Sequence, residues 1–213
     1  MTSIISKTEQ NTNALGTYEF DIERTEYSST PINLSDTEKV AIFVDFDNMY
    51  KGFHESINGA HKVFIDFKEM SRLLANGRHV MTKKAYGARI PEYDLPGAFK
   101  CIIKAGFEPV IENCTHAVQK GVDVRLALEL DDCSRETGCN DILLVSGDAD
   151  FIPAVERAQK RGKRVQVASF SNSLSHALAE AADEVILLDK YRMLAVRLEV
   201  HEPVESISEE GDN

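Results

Sequence analysis

The hydrophobic pattern between residues 40 and 190 alternates between two periods. Uninterrupted apolar runs such as VAIFVD (40–45) are typical of strands that are buried on both faces. Stretches with apolar residues three and four positions apart follow them and are typical of amphipathic helices. The runs predict strands at 40–45, 79–87, 107–114, 141–146, 164–170 and 184–189.

The helical pattern fills the gaps between these strands. It predicts helices over 67–77, 91–106, 121–138, 149–162 and 173–182, and a terminal helix that begins near residue 190. Glycines close three of them, and Pro153 falls in a first turn, where its missing N–H costs nothing. The alternation predicts an α/β fold, a three-layer sandwich with a mostly parallel central sheet of five to six strands.

The two ends of the chain differ from the middle. Residues 1–38 are rich in polar residues and predict an acidic arm, partly disordered, in which 18–27 alternates like an edge strand. Residues 199–213 predict an acidic disordered tail, so the folded domain is expected at 39–198. The net charge of −11 resides in the arm and the tail, since the middle holds 22 residues of each sign. The acidic balance is therefore weak evidence against a polyanionic partner.

Composition narrows the class of protein. We expect no membrane segment, because no uncharged apolar run approaches the length of a bilayer-spanning helix. The first residues lack a basic start followed by an apolar stretch, which predicts a cytoplasmic protein without a signal peptide. The four cysteines form no C-x-x-C pair and the six histidines no H-x-x-x-H pattern. Reduced, mostly buried thiols are expected rather than a zinc site.

Acidic residues follow two of the predicted strands directly. Asp45 ends the first strand, with Asp47 and Asn48 just after it, and Asp148 and Asp150 follow the fourth. In parallel sheets, sites form beyond the carboxyl ends of the strands. If the first and fourth strands are neighbours, these side chains meet at one edge of the sheet.

Each carboxylate also has a purely structural interpretation. Asp148 can cap a helix, and Asp150 and Asp123 fall in first turns, where the helix dipole favours negative charge. Asp47 and Asn48 are common in turns and caps. Asp45 is harder to explain in this way, because an unpaired charge at the end of a buried strand is costly.

The joint pattern favours a metal site. Several carboxylates at one sheet edge repel one another unless a cation lies among them. Oxygen ligands without Cys or His select a hard ion, Mg²⁺ or Mn²⁺. Such an ion activates water and stabilises charge on a phosphoryl group.

Four segments of the chain resemble a known family. They are VAIFVDFDNMY (40–50), KGVDVRLALEL (120–130), ILLVSGDADFIPAVERAQKRGKRVQVAS (142–169) and SLSHALAEAADEVILLD (173–189). The sequence resembles the NYN domains of the LabA-like group, relatives of the PIN-domain ribonucleases, over about residues 40–190. The resemblance implies a PIN-like fold and a metal-dependent endoribonuclease that acts on RNA, with single-stranded RNA as the expected substrate.

The resemblance also implies roles for individual residues. The metal ligands and catalytic acids would be Asp45, Asp123, Asp148 and Asp150, with Asn48 as a polar neighbour. Asp123 would complete the cluster or orient a second ion. Asn48 and Ser146 could hydrogen-bond the attacking water or the phosphate, although the Ser146 hydroxyl could equally satisfy the local backbone. Asp47 occupies a position that is not a ligand in the family, and its role stays open.

Contacts with the substrate are predicted from basic residues near the acidic cluster. Lys120 and Arg125 flank Asp123 and are the first candidates for phosphate binding; a solvated surface charge is the alternative. Further candidates for a basic rim are Lys83, Lys84 and Arg89. Four aromatic residues could either stack on bases or pack in the core: Tyr50, Phe53, Tyr86 and Phe151.

Two competing functions remain open at this point. A haloacid-dehalogenase-like phosphatase would use the D-x-D that begins at Asp45, but Met49 stands where that family has Thr or Val. A non-catalytic module on the same fold would bind RNA or a protein, and the acidic tails could bind a basic partner. The resemblance also leaves a homodimer open.

Overall fold

A computed structural model describes residues 4–13, 16–25, 38–57, 63–89, 97–113, 120–191 and 195–197. The strands are β1 (Ile4–Asn13), β2 (Gly16–Thr25), β3 (Lys39–Asp45), β4 (Val63–Ile65), β5 (His79–Arg89), β6 (Glu108–Asn113), β7 (Asp141–Val145), β8 (Arg164–Ser169), β9 (Glu184–Leu187) and β10 (Ala195–Arg197). The helices are α1 (Phe46–Ser56), α2 (Phe67–Ala75), α3 (Gly97–Lys104), α4 (Lys120–Cys133), α5 (Ile152–Lys160) and α6 (His176–Ala181). Short 3₁₀ turns lie at Ala149–Phe151 and Leu188–Lys190.

The central sheet has six parallel strands in the order β6-β5-β3-β7-β8-β9. Within this sheet, the first strand along the chain is the central β3. The chain then runs outward through β5 to β6, crosses back to β7 and runs outward in the other direction through β8 to β9. Strand order therefore reverses between β3 and β7, and α/β sheets open a crevice at such a point, beyond the carboxyl ends of the strands. The first and fourth predicted strands, β3 and β7, are neighbours, which is the condition for their acidic residues to meet.

Helices cover both faces of this sheet. Alternate side chains of β3 point to opposite faces, and Ile42 and Phe43 belong to two different apolar clusters. The first cluster includes the inner faces of α1, α2 and α3, and the second those of α4, α5 and α6. The strand is buried from Val40 to Asp45 because both faces are covered, which explains its continuous apolar sequence.

The predicted central strands are confirmed to within two residues at each end. The helix ends predicted at Gly77 and Gly106 are also confirmed, since both residues adopt a left-handed conformation, with φ of 78° and 86°. The prediction for 91–106 corresponds to α3, and its residues 91–96 lie outside the described part of the chain. Among the described residues, no helix has the length and apolar character needed to cross a bilayer.

Two helix predictions are wrong, one at its end and one in the type of element. The helix expected over 121–138 stops at Cys133, where Arg135 and Glu136 donate backbone hydrogen bonds that close turns instead. The terminal helix expected from residue 190 is replaced by the 3₁₀ turn and then by β10, which pairs antiparallel with β4. Three residues are too few for periodicity to distinguish strand from helix, so β4 was also missed.

The strand expected within 18–27 is present as β2. It pairs antiparallel with β1 in a separate two-stranded sheet. The pattern did not indicate β1, because IISKTEQNTN shows little alternation beyond its first residues. The remaining residues of the predicted arm and the whole predicted tail at 199–213 lie outside the described residues.

Candidate active site

Asp45 lies at the carboxyl end of β3, beside the crevice between β3 and β7. Its side chain is 4% exposed. The Ser146 hydroxyl donates to Oδ2 at 2.8 Å, and the Asn48 N–H donates to Oδ1 at 3.2 Å. Burial outweighs these two hydrogen bonds and raises the pKa of Asp45 to about 7. This carboxylate caps α1, yet it is held where negative charge is unfavourable.

Ser146 connects the two strand ends. It is fully buried at the end of β7. Its hydroxyl donates to Asp45 and accepts from the Asp148 N–H at 3.2 Å. The structural interpretation is confirmed, because the hydroxyl accepts from local backbone, and the same hydroxyl also orients Asp45. The contact with water or phosphate stays a prediction.

Asn48 and Gly147 form a second connection across the crevice. The Gly147 N–H donates to the Asn48 side-chain oxygen at 2.9 Å. A Cβ on Gly147 would lie 1.9 Å from the Ser173 carbonyl oxygen, and the Ser175 N–H donates to the Gly147 oxygen at 2.9 Å. Only glycine fits between these backbones. Sequence reasoning missed this role, although the glycine stands inside the conspicuous SGDAD segment.

Asp148 and Asp150 open the segment that follows β7. Asp148 caps the 3₁₀ turn, because its Oδ1 accepts from the Asp150 N–H at 2.9 Å. The capping interpretation is thus confirmed for Asp148, and it occupies one carboxylate oxygen. Asp150 is exposed in the first turn.

Asp123 reaches the same edge from the first turn of α4. Burial raises its pKa, and so do the negative charges of Asp148, Asp150 and Asp47. The charge of Asp123 acts in turn on Asp45 and raises the pKa of that carboxyl further. The structure therefore brings together acidic residues from β3, α1, α4 and the segment after β7, as the strand order required.

Asp47 belongs to this group as well. Its Oδ2 accepts from the Ala88 N–H at 3.2 Å, which ties the start of α1 to the end of β5. Burial of the carboxylate against this strand raises its pKa, although the residue as a whole is exposed. Its charge acts on both Asp45 and Asp123. Asp47, whose role the sequence left open, therefore lies beside the candidate site.

The basic candidates are distributed differently. The Arg125 Nε donates to Glu129 at 2.7 Å, and its NH1 lies 3.9 Å from Glu112. Lys83 and Lys84 lie on β5 opposite the middle of β3. The Lys83 ammonium donates to the Ala105 carbonyl oxygen, and the Lys84 ammonium pairs with the Glu129 carboxylate. The side chains of Lys120 and Arg89 lie outside the described residues. Of the candidates, the three with described side chains, Lys83, Lys84 and Arg125, thus bond groups outside the acidic cluster.

The aromatic candidates are mostly core residues. Phe53, Tyr86 and Phe151 are each 2% exposed or less. Tyr50 is half-buried and stacks on Phe46, with ring centroids 5.3 Å apart. Core packing is confirmed for the first three, and a base could reach Tyr50 at most.

The donor set suits a hard divalent cation. It consists of carboxylate oxygens, and the amide and hydroxyl groups around them hold those oxygens in place. Within the described ranges, however, no three acidic, histidine or cysteine side chains are arranged as a ready-made metal site. The chemistry of the group fits a cation, and its arrangement is more open than a closed coordination shell.

The fold and this edge define a class of protein: an α/β sandwich of the PIN-like kind with acidic residues at its switch point. A comparison with family models is more specific, because residues 39–189 match the NYN domain. The chain belongs to the NYN domain family. Members are in general PIN-like nucleases, which typically use divalent metals, and the domain suggests RNA binding.

Two individual proteins are similar to this chain, one in sequence and one in structure. An uncharacterized protein of Methanocaldococcus jannaschii, MJ0482, is 28% identical over 148 residues, which are 70% of this chain and 54% of that protein. The chain thus spans about half the length of that relative. A solved structure of a protein of unknown function from Vibrio parahaemolyticus, VPA0982, is 26% identical with a TM-score of 0.61, and covers 76% of this chain and 98% of its own.

Proposed function

We propose that the protein is a divalent-metal-dependent endoribonuclease whose metal ligands are Asp45, Asp123, Asp148 and Asp150. The observation that carries this proposal is the accumulation of unfavourable negative charge at the switch point. Asp45 and Asp123 both have raised pKa values, through burial and then through neighbouring carboxylates. A bound cation would turn this repulsion into attraction.

The choice of ion follows from the donors. Oxygen-only ligands favour Mg²⁺ or Mn²⁺ over softer metals. When bound, such an ion supplies Lewis-acid stabilisation of phosphate charge and lowers the pKa of water. Because the carboxylates are not arranged as a closed shell, they would have to approach one another for the ion to bind.

The surrounding residues would keep the acidic edge in position. Ser146 fixes the orientation of Asp45 and, through the Asp148 N–H, its spacing from the segment after β7. Asn48 uses its amide oxygen for Gly147, so its NH₂ group is the part that can donate to a phosphate.

The finer assignments are part of the same proposal. The resemblance of the SGDADF segment to the LabA-like group supports single-stranded RNA as the substrate. Lys120, at the start of α4, is the preferred phosphate contact, because Arg125 already bonds Glu129. Binding of RNA by a site this acidic requires the cation to compensate its charge.

A cleavage assay tests the proposal. Purified full-length protein is incubated with end-labelled single-stranded RNA in the presence of Mn²⁺, Mg²⁺ or EDTA. We expect internal cuts with either metal, none with EDTA, and a loss on the order of 100-fold for Asp148→Asn. Asparagine caps helices as well as aspartate does, so this variant keeps its fold.

Asp132→Asn is the matched control. Asp132 is exposed near the end of the same α4 that carries Asp123, and its nearest basic partner, Arg135, lies 3.9 Å away. We expect this variant to cleave like the wild type. Equal rates for wild type and Asp148→Asn, or no cleavage of any RNA tried, would refute the nuclease assignment. Metal-independent RNA binding without cleavage would instead indicate the binding module.

A further inference from the structure

Two buried cysteines lie in contact away from the acidic edge. Cys133 is the last residue of α4, and Cys139 stands two residues before β7. Their sulfur atoms are 3.6 Å apart, and the Cys133 thiol donates to the Cys139 sulfur. They are 8% and 1% exposed. Neither belongs to the candidate active site, and both are free thiols in the structure.

The chain between the two cysteines is short and turned rather than helical. Backbone hydrogen bonds from Glu136 to Cys133 and from Cys139 to Glu136 fold it back on itself. A disulfide needs a sulfur separation of about 2.05 Å, so the sulfurs must approach by about 1.5 Å. A turn at a helix end can move more readily than a strand or a helix interior.

A cleft borders one of the two cysteines, Cys133. It has a volume of about 420 Å³ and lies between α4 and the first half of β5. Its walls include Cys133, together with Met81 and Glu136. A small oxidant that enters the cleft therefore meets Cys133, whereas Cys139 is not among the residues that line it.

The electrostatic surroundings distinguish the two thiols. The hydrogen bond from Cys133 lowers the pKa of Cys139, burial opposes this, and the charge of Lys163 adds to the lowering. Lys163 is held in place by the Cys139 and Glu136 carbonyl oxygens, at 2.6 and 2.7 Å. Thiolates are the reactive form, so the lower pKa favours Cys139 as the reactive thiol, whereas the cleft borders Cys133.

We propose that Cys133 and Cys139 form a dithiol modification site that a peroxide oxidises to an intramolecular disulfide. One sulfur attacks a peroxide oxygen, the O–O bond breaks, and a sulfenic acid and one water form. The second sulfur then displaces the sulfenic hydroxyl as a second water, and the S–S bond forms. Two thiols are oxidised, hydrogen peroxide is reduced to two waters, and a dithiol reductant reverses the change.

Peptide mapping tests this site without reference to nuclease activity. Full-length protein is treated with hydrogen peroxide, remaining thiols are alkylated, and the protein is digested with trypsin. Arg135 lies between the two cysteines, so trypsin separates peptides 126–135 and 136–157 unless a disulfide joins them. We expect the joined peptide after oxidation, lighter by two hydrogen atoms than the sum of its parts, and its disappearance after dithiothreitol.

Matched variants assign the bond. Cys139→Ser should abolish the joined peptide, whereas Cys101→Ser, which changes an exposed cysteine on α3, should keep it. The wild type alone can overturn the proposal. It would do so if Cys101 became oxidised while peptides 126–135 and 136–157 stayed separate. A bond from either cysteine to Cys101 or Cys114 in place of the predicted one would also overturn it.

Discussion

Buried negative charge is stabilised where the strands of the central sheet begin and destabilised where they end. We call these two sides the amino edge and the carboxyl edge of the sheet. At the amino edge, the buried Arg78 donates to Asp141 and Gln166 at 2.6 Å each, and Arg164 donates to Asp141 at 2.7 Å. Burial acts to raise the pKa of Asp141, but the two guanidinium groups hold it below its usual value. At the carboxyl edge, the charges that raise the pKa of Asp45 and Asp123 are those of other carboxylates.

The difference separates a structural network from a functional one. Paired charges at the amino edge are satisfied within the chain and fasten α2, β7 and β8 together. The carboxylates at the carboxyl edge accept hydrogen bonds, but burial and mutual repulsion make their negative charge unfavourable. Removing Arg78 at the amino edge and neutralising a carboxylate at the carboxyl edge should therefore change stability in opposite directions.

The largest loss of stability is expected for Arg78→Met at the amino edge. The variant leaves the buried Asp141 with one guanidinium and removes donors to the Leu74 and Ala75 carbonyl oxygens. We expect a loss of about 3–5 kcal/mol in the free energy of unfolding, measured by urea denaturation. A loss below about 0.5 kcal/mol would show that the network does not hold this edge together.

Asp45→Asn should show the opposite behaviour at the carboxyl edge, in a pH-dependent way. The pKa of Asp45 rises from an ordinary 3.8 to about 7 in the folded protein. The folded state therefore binds more protons than the unfolded state in this window, and the wild type loses stability as pH rises from about 4 to about 7.

The variant lacks this titration. Its stability relative to wild type should increase by about 2–3 kcal/mol between pH 4 and pH 7 in metal-free buffer. Urea denaturation at several pH values measures this difference, and a difference that stays constant with pH would contradict it. Asp141 has the opposite sign, since a lowered pKa adds stability that is lost only as pH falls below about 4.

Gly147→Ala should have a smaller effect on stability at the carboxyl edge. Its Cβ would overlap the Ser173 carbonyl, so the loop after β8 must shift, at a cost of about 1–3 kcal/mol. Gly121→Ala is the control, because its Cβ meets nothing within 4 Å on the exposed face of α4. Thermal unfolding should show a lower midpoint for the first variant and an unchanged or higher one for the second.

Local pattern predicted much of the fold. The buried strands are visible in runs such as DILLV, and the β-α alternation fixes a mostly parallel sheet. The pattern missed the short strands β4 and β10. Each has three residues, and they pair with each other. The end of α4 was misplaced because the chain turns at Ser134, well before the glycine that suggested a helix end.

The candidate site was predicted through its carboxylates but not through the contacts that hold them. Strand ends and spacing indicated Asp45 and Asp148, since both follow apolar runs. The Gly147 contact with Ser173 depends on a loop that follows a different strand, and nothing local in the sequence signals it. Arg125 was chosen as a phosphate contact because it is close to Asp123 in sequence. In the structure its guanidinium bonds Glu129 instead, which sequence proximity did not predict.

The most direct test of the central claim is a paired measurement on Asp123→Asn. If the carboxyl edge retains its charges for a metal-dependent reaction, this variant should unfold at the same or a higher temperature than wild type without metal, because like-charge repulsion is relieved. Its Mn²⁺-dependent cleavage of single-stranded RNA should fall on the order of 100-fold. A destabilised variant that cleaves RNA at the wild-type rate would show that Asp123 serves the fold, and would contradict the account.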